Sequence, residues 1–363
     1  MGGAWPRACC HDLLRGAVGP ADDAAAAWTR WRAADPEARC CAAAFPVIPR
    51  AYRRSSELGA VEAERARFEG VVRYAWASNA VAARAVAQAL AELPVRPLLL
   101  KGAAVSRLLP EAEDFARSLG RIALLVKGAE GDAVLARLLE LGWTTQPPLS
   151  RRNATANLAH RALGLAAPGS RAVRLELRSR ASAQDPTAEG DAELRRDAQE
   201  QEFLGVRVMV PEARALFAHL LENGALESAV GDITWSVDAA LLVASFAPKL
   251  DASWLASRAS LRCTTLALWD SLRFLRDVLG CSSAAPLIAA LERNPISPVE
   301  LIAHQSLRPG SNPAPCKLVA QALVQERVTA SGEKRALEPE RALARVSAQP
   351  KLRRGVRYPP RRA

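Results

Sequence analysis

The residues most able to do chemistry lie close together in the first third of the chain. Lys101 and Gly102 directly follow the apolar run Leu98–Leu100, and an Ala-rich segment follows them. Because Gly102 has no Cβ, its backbone can approach a phosphate closely, and the first N–H groups of a helix bind anions. Lys101 and Arg107 would add positive charge. A Lys-Gly at the end of a strand is common in α/β cores, so these residues alone favour a structural turn, with phosphate binding as the functional alternative.

Two strands and a short helix must position this turn. The apolar spacing predicts a buried strand at residues 98–100, a helix at 103–109 that Pro110 ends, and a second strand at 122–126. The helix start should face the beginning of the second strand. In outline the order of elements predicts a right-handed strand, helix, strand, helix arrangement.

Further along the chain, two segments alternate apolar and polar residues. Residues 172–177 and 205–210 are each typical of a half-buried strand, and we expect the two strands to pair with each other. Residues 146–170 are polar and interrupted by proline and glycine, which predicts a loop with at most one helical turn.

These motifs together resemble a known family. The pattern Leu-Leu-Leu-Lys-Gly-Ala-Ala, then Arg117, then a short strand ending in Leu-Leu-Val, is similar to bacterial nucleotidyltransferase family proteins. The resemblance covers roughly residues 25–290. It implies a helix-rich α/β (α+β) fold with a nucleotidyltransferase-like small mixed sheet, flanking helices and a C-terminal helical bundle.

The resemblance also implies where the site lies. In those relatives the second strand carries Asp-x-Asp, whose carboxylates hold the catalytic metal, and here Arg121 and Ala123 fall on these two positions. A later strand carries an acidic residue followed two places on by His, and here these are Glu176 and Arg178. The resemblance thus implies Glu176 as the catalytic candidate and a set of nucleotide-binding candidates: Lys101, Gly102, Ala103, Arg107 and Arg121.

Three functions follow from these residues. The first is a divergent family member, a pseudoenzyme that has lost magnesium-dependent transfer and acts as a nucleotide-binding, phospho-ligand-binding or scaffolding protein, with a possible protein partner. The second is an active transferase that uses Mg²⁺ and a nucleoside triphosphate to modify a small-molecule or peptide acceptor, with Glu111, Glu113 and Asp114 replacing the missing carboxylates. The third, weaker alternative is a nucleic-acid-associated protein that uses its basic C-terminal tail.

The role of Arg121 separates two forms of the first function. A guanidinium can bind phosphate bidentately without a metal ion, which would leave a metal-independent pocket. Alternatively, Arg121 pairs with Glu176 and closes the pocket with a salt bridge. We favour the salt bridge.

Composition argues against nucleic acid as the main partner. The 363 residues carry a net charge of +11, but residues 351–363 contain six basic residues and no acidic ones. Much of the excess therefore belongs to a tail that we expect to be disordered. No segment has the ~20 apolar residues of a membrane span, the start lacks the apolar core of a signal peptide, and the seven cysteines lack zinc-type spacing. We expect a cytoplasmic protein with reduced thiols and no bound metal.

The remaining patterns outline the domain organisation. We expect an N-terminal helical segment (1–93), the α/β core (94–211), a helical bundle (212–292) and a C-terminal extension (293–363). Trp28 and Trp31 should pack on one helix face. A longer stripe predicts the buried face of another helix: Val72, Trp76, Asn79, Ala83, Val86, Leu90 and Leu93. The four histidines show no metal-ligand spacing. His219 lies on an otherwise apolar helix and should be a hydrogen-bonded core or boundary residue.

Overall fold

A seven-stranded mixed sheet lies at the centre of the computed structural model, which describes residues 5–34, 44–59, 65–109, 121–159, 162–182, 188–227, 233–307 and 322–329. The strands are β1 (Leu98–Leu100), β2 (Ile122–Leu125), β3 (Thr144–Gln146), β4 (Leu163–Ala167), β5 (Ser170–Arg178), β6 (Gln199–Phe203) and β7 (Val206–Val210). Their order across the sheet is β3-β4-β5-β2-β1-β7-β6. Strands β2 and β5 are parallel, as are β1 and β7, and the other neighbouring pairs are antiparallel.

Helices precede, interrupt and follow the strands along the chain. Four precede them: α1 (His11–Val18), α2 (Ala21–Ala33), α3 (Ile48–Glu57) and α4 (Arg65–Ala91). Four lie between strands: α5 (Lys101–Leu108), α6 (Gly128–Glu140), α7 (Arg151–Leu158) and α8 (Ala188–Arg196). The described helices after the sheet are α9 (Ala213–Glu222), α10 (Thr234–Phe246), α11 (Ala252–Arg262), α12 (Thr265–Arg273), α13 (Ala285–Leu291), α14 (Pro298–Leu307) and residues 322–329. The helix-rich α/β fold that the sequence implies is confirmed.

The two faces of the sheet are unequal. The side chains of strand β5 alternate between the two faces of the sheet, and Val173, Leu175 and Leu177 lie in the main hydrophobic core on one face. On the other face, Leu100 of β1 and Ala123 of β2 belong to a second, smaller apolar cluster. A strand exposes alternate residues to opposite faces, so Glu176 and Arg178 share this second face. The smaller cluster therefore borders the charged residues of β5.

The connection from β1 to β2 differs from the expected crossover. The two strands are antiparallel, with Leu100 opposite Ala123. The start of β2 therefore lies beside the end of β1, which confirms that the helix start faces the beginning of the second strand. The expected right-handed crossover is wrong because residues 101–121 return the chain to the same end of the sheet. Their apolar pattern predicts the elements but not the direction of return.

Two further expectations about the sheet are wrong. Residues 146–170 hold helix α7 and strand β4 rather than a loop. Ser150 caps α7 by accepting a hydrogen bond from Asn153 N, and Pro168 and Gly169 form the turn between β4 and β5. The second error concerns residues 205–210, which pair with β1 and β6 instead of β5. Alternation identifies a strand's faces, whereas its neighbours depend on the rest of the sheet.

The stripe expected on helix α4 is confirmed except at Trp76. Asn79, Ala83, Val86 and Leu90 are buried, and Val72 and Leu93 are half-buried, whereas Trp76 is 55% exposed. Trp76 follows the buried position 75 and is rotated from it by about 100° around the helix. The packing of Trp28 against Trp31 is confirmed, since both are buried with ring centroids 5.2 Å apart.

The N-terminal helices and the helices after the sheet share one core. A single hydrophobic cluster includes Leu13 of α1, Leu124 of β2 and Leu268 of α12. Arg15 of α1 donates from Nε to the carbonyl oxygen of Val278 at 2.5 Å. The predicted domain boundaries at 93, 211 and 292 stay predictions. No helix in the described part of the chain combines the length and the apolar content needed to cross a bilayer.

Candidate functional site

The candidate site is built around the carboxylate of Glu176, which is 4% exposed. Three cations from three parts of the chain bind it. Lys101 Nζ donates to Oε1 at 2.9 Å, Arg178 Nε donates to the same oxygen at 2.7 Å, and Arg121 donates to Oε2 at 2.9 Å. Three positive charges therefore surround one negative charge at the end of β1, the start of β2 and the end of β5.

Lys101 reaches Glu176 from a left-handed backbone conformation with φ of 54°. For a residue with a Cβ this conformation costs about 1–2 kcal/mol, and the ion pair to Glu176 helps to offset that cost. The tight turn converts strand β1 directly into helix α5. It also means that the adjacent Gly102 does not supply the left-handed residue, since Gly102 lies buried within the first turn of the helix.

Arg121 and Ala123 reach the same face of the sheet as Glu176. In the parallel pair of β2 and β5, Ala123 lies directly opposite Glu176. Arg121 stands two positions earlier and therefore shares that face. Its side chain is 49% exposed, compared with 24% for Lys101 and 8% for Arg178. Of the three cations, Arg121 is the one most open to solvent.

The charges of this cluster determine the ionisation of Glu176. Burial alone would raise its pKa, but the charges of Lys101 and Arg178 and their hydrogen bonds outweigh burial and hold the pKa well below its usual range. Glu176 is therefore an anion at any physiological pH. A carboxylate in this state cannot donate a proton, and three of its roughly four lone-pair sites already accept hydrogen bonds.

His219 lies near this cluster, on helix α9. It is 2% exposed, and burial together with the positive charges of Arg178 and Lys101 lowers its pKa to about 3. The imidazole is therefore neutral. The expectation that this histidine is fully hydrogen-bonded is wrong for one ring nitrogen, because Nε2 has no hydrogen-bond partner among the described residues. The apolar residues around it on α9 predict burial but not whether each nitrogen finds a partner.

The structure separates several predicted nucleotide-binding residues from this cluster. Arg107 donates to the carbonyl oxygen of Glu202 at 3.4 Å and lies over the ring of Phe203 at 5.9 Å. It therefore contacts the β6–β7 hairpin. Ala103 is buried in the main hydrophobic core. The proposed substitute carboxylates Glu111, Glu113 and Asp114 lie outside the described residues.

The sequence places Arg178 at the position of a family histidine but assigns it no role in the site. The structure places it in direct contact with Glu176, and its second donor binds the carbonyl oxygen of Ala181 at 2.9 Å. The signal is present in the sequence, because residues two apart in an alternating strand share a face. The family likeness draws attention to the missing histidine at this position instead.

A catalytic divalent ion, which the family resemblance implies, does not fit these residues. Mg²⁺ requires oxygen ligands, whereas Ala123 has none and Arg121 brings a positive charge. The only carboxylate among the three positions, Glu176, already binds three cations. Among the described residues, no group of three or more His, Cys, Asp or Glu side chains could hold a metal ion.

Comparison with protein families gives one result that bears on the site. Residues 37–280 match the sequence model of a family described as "Uncharacterised nucleotidyltransferase". Neither the curated proteins nor the solved structures contain a match to the chain. The matched range is more than half of the chain and includes β1, β2 and β5 in full.

Proposed function

Because the chain belongs to the uncharacterised nucleotidyltransferase family, with a general nucleotidyltransferase-like function, we propose that it binds a nucleotide or another phosphorylated ligand without a metal ion. In this proposal Arg121 takes over the electrostatic role of the ion, and magnesium-dependent transfer has been lost. The observation that carries it is the excess of positive charge around Glu176, with Arg121 half exposed at its outer side.

The two more buried cations, Lys101 and Arg178, leave Arg121 as the cation that can bind a ligand. Lys101 and Arg178 both donate to Oε1 of Glu176 and are mostly buried, so they neutralise and orient the carboxylate. Within the described part of the chain, Arg121 donates a hydrogen bond from Nη1 to Oε2. A guanidinium has five N–H donors in a planar fork, so it has further donors to offer a phosphate.

Phosphate binding is favourable here for an electrostatic reason. The cluster has more positive than negative charge, and an arriving dianion would balance it. Bidentate contacts between a guanidinium and phosphate are among the strongest hydrogen bonds in proteins. The ion pair of Arg121 with Glu176 that the sequence favours is present, at 2.9 Å. Because Arg121 is 49% exposed there, we infer that an arriving phosphate displaces the ion pair instead of being shut out by it.

The experiment is calorimetric titration with ATP, GTP, CTP, UTP and inorganic triphosphate, in EDTA and again in excess Mg²⁺. We expect binding in EDTA that Mg²⁺ weakens, because the ion competes for the phosphate oxygens. Arg121→Ala should weaken this binding at least about tenfold, the loss of one charge-assisted bidentate contact. Arg152→Ala, an exposed arginine on α7, is the matched control and should leave binding unchanged.

Other results would redirect the proposal. Binding that requires Mg²⁺ and Lys101 would instead support the active transferase and a search for its acceptor. Absence of binding in both conditions would mean that the ion pair of Arg121 with Glu176 closes the site. The scaffolding role would then be favoured.

A further inference from the structure

Strand β5 carries a second arginine on the face of the sheet that holds Glu176. Residues two apart in a strand share a face, so Arg174 lies on the same face as Glu176 and Arg178. Those two residues are buried, whereas Arg174 is exposed to solvent. Strand β5 therefore places a further positive charge at the solvent-facing edge of the candidate site.

The register of β2 and β5 places Arg174 beside Arg121. Ile122 of β2 lies opposite Leu175 of β5 in this parallel pair. The residues that precede these two are Arg121 and Arg174. Because neighbouring strands are about 4.8 Å apart, the two arginines start from adjacent backbone positions on one face. Arg121 is itself 49% exposed, so solvent reaches both side chains.

The strands on the other side of Arg174 carry short side chains at the same level. Ala166 of β4 lies opposite Arg174 and has only a methyl group. Thr144 of β3 lies opposite Ala166 and is exposed. Across β3, β4, β5 and β2, the long side chains at this level are therefore the two arginines. Both can turn toward the same solvent-facing region above the sheet.

We propose that Arg174 and Arg121 form a two-arginine clamp for two linked phosphates, so that the site prefers a diphosphate or triphosphate group to a single phosphate. This inference rests on the proposed function, since it assigns a second arginine to the same ligand. Each guanidinium can form two parallel hydrogen bonds to a phosphate. Linked phosphates present a separate set of oxygens to each arginine. Two like charges at adjacent positions also repel each other, and an anion bound between them replaces that repulsion by attraction.

The test is calorimetric titration in EDTA with inorganic orthophosphate, pyrophosphate and triphosphate. We expect the two linked phosphates to bind at least about tenfold more tightly than orthophosphate, because they gain the charge-assisted contacts of a second arginine. Arg174→Ala should weaken binding of pyrophosphate and triphosphate at least about tenfold, the loss of one such set of contacts. Orthophosphate binding, which Arg121 alone supports, should change much less.

Arg207→Ala is the matched control. Arg207 is an exposed strand arginine on β7 that lies about 20 Å from Arg121 along the strand direction. Its loss removes the same charge from the protein and should leave all three affinities unchanged. Circular dichroism of each variant separates lost binding from lost folding.

The outcomes distinguish this inference from the proposed function. If Arg174→Ala keeps the preference for linked phosphates while Arg121→Ala weakens binding, the clamp is wrong and the proposed function stands. Equal affinity of the wild type for orthophosphate and pyrophosphate would overturn the clamp in the same way. Equal losses in Arg174→Ala and Arg207→Ala would also overturn it, because net charge alone would then explain the preference. Absence of binding by all three anions would contradict both the clamp and the proposed function.

Discussion

At the scale of single residues, the cations around Glu176 divide into two kinds. Arg178 is 8% exposed and also binds a backbone carbonyl oxygen, so it is fixed on two sides. Arg121 is 49% exposed and contacts the carboxylate at one oxygen. A charge that is half in water gains little from its ion pair. Arg121 can therefore change partner at much lower cost than Arg178.

Glu176→Gln tests how strongly the carboxylate holds this cluster. We expect the free energy of unfolding at pH 7 to fall by about 3 kcal/mol, because breaking a buried ion pair leaves its partners uncompensated. The pKa of Glu176 in the folded state lies below its unfolded value of about 4.3. Its contribution is therefore complete above that pH and is lost as the pH falls toward the folded pKa. Urea titrations at several pH values should show the wild type and the variant converging in acid.

Glu200→Gln provides the control for this substitution. Glu200 accepts hydrogen bonds from Arg96 and Arg207, both largely exposed, so its loss should lower the free energy of unfolding by less than about 1 kcal/mol.

In Glu176→Gln, phosphate should also bind more tightly, because Arg121 no longer shares its charge with a carboxylate. A difference between the Glu176→Gln variant and the wild type that stays constant from pH 7 to acid would contradict the assigned role of Glu176.

At the scale of elements, strand β2 sets what the site can bind. It places positions 121 and 123 on one face, and position 123 lies opposite Glu176. Neighbouring strands are about 4.8 Å apart. We expect the combined substitutions Arg121→Asp and Ala123→Asp to create measurable Mn²⁺ binding, since they add two carboxylates beside Glu176 and remove one cation. Calorimetric titration with Mn²⁺ measures the gain over the wild type.

The control keeps the shape of these side chains without their charge. Arg121→Asn with Ala123→Asn should not bind Mn²⁺, because amides are weaker ligands than carboxylates for a hard cation. If the aspartate variant also fails to bind while remaining folded, then Lys101 and Arg178 dominate the potential at this position. The geometry of β2 alone would then be insufficient for a metal site.

The sequence predicts where the strands of the site lie and which faces they bury, but not the direction in which they run. The run Leu98–Leu100 predicts β1 because both faces are buried, and the alternation around Glu176 predicts β5. The likeness to a known family assigns Arg121 and Glu176 to one site from their positions in the sequence alone. Strand direction is not predictable, because residues 101–121 are long enough to return to either end of the sheet. The loop expected at residues 146–170 is wrong because Pro168 and Gly169 mark a hairpin turn between two ordered elements.

At the scale of the whole molecule, the N-terminal helices are part of the packing around the C-terminal bundle. Trp5 contacts Trp235 and Phe274 with ring centroids 5.7 and 5.8 Å apart. Pro20, between α1 and α2, lies against Gly280, which follows α12 in the bundle. The N-terminal helices and the bundle should therefore unfold together.

Gly280→Ala measures that contact. Gly280 has φ of 74°, and a Cβ there would lie 2.7 Å from Cδ of Pro20. Gly59 has a similar φ of 77°, but a Cβ added there would have no described atom within 4 Å. Gly59→Ala therefore measures the backbone strain alone, about 1 kcal/mol. We expect Gly280→Ala to cost a further 1–3 kcal/mol, roughly the cost of overpacking, within a single urea transition. Equal decreases in the free energy of unfolding for the two variants would mean that α1, α2 and the bundle are not held together at this contact. A larger decrease for Gly280→Ala would show that the N-terminal helices and the bundle unfold as one cooperative unit.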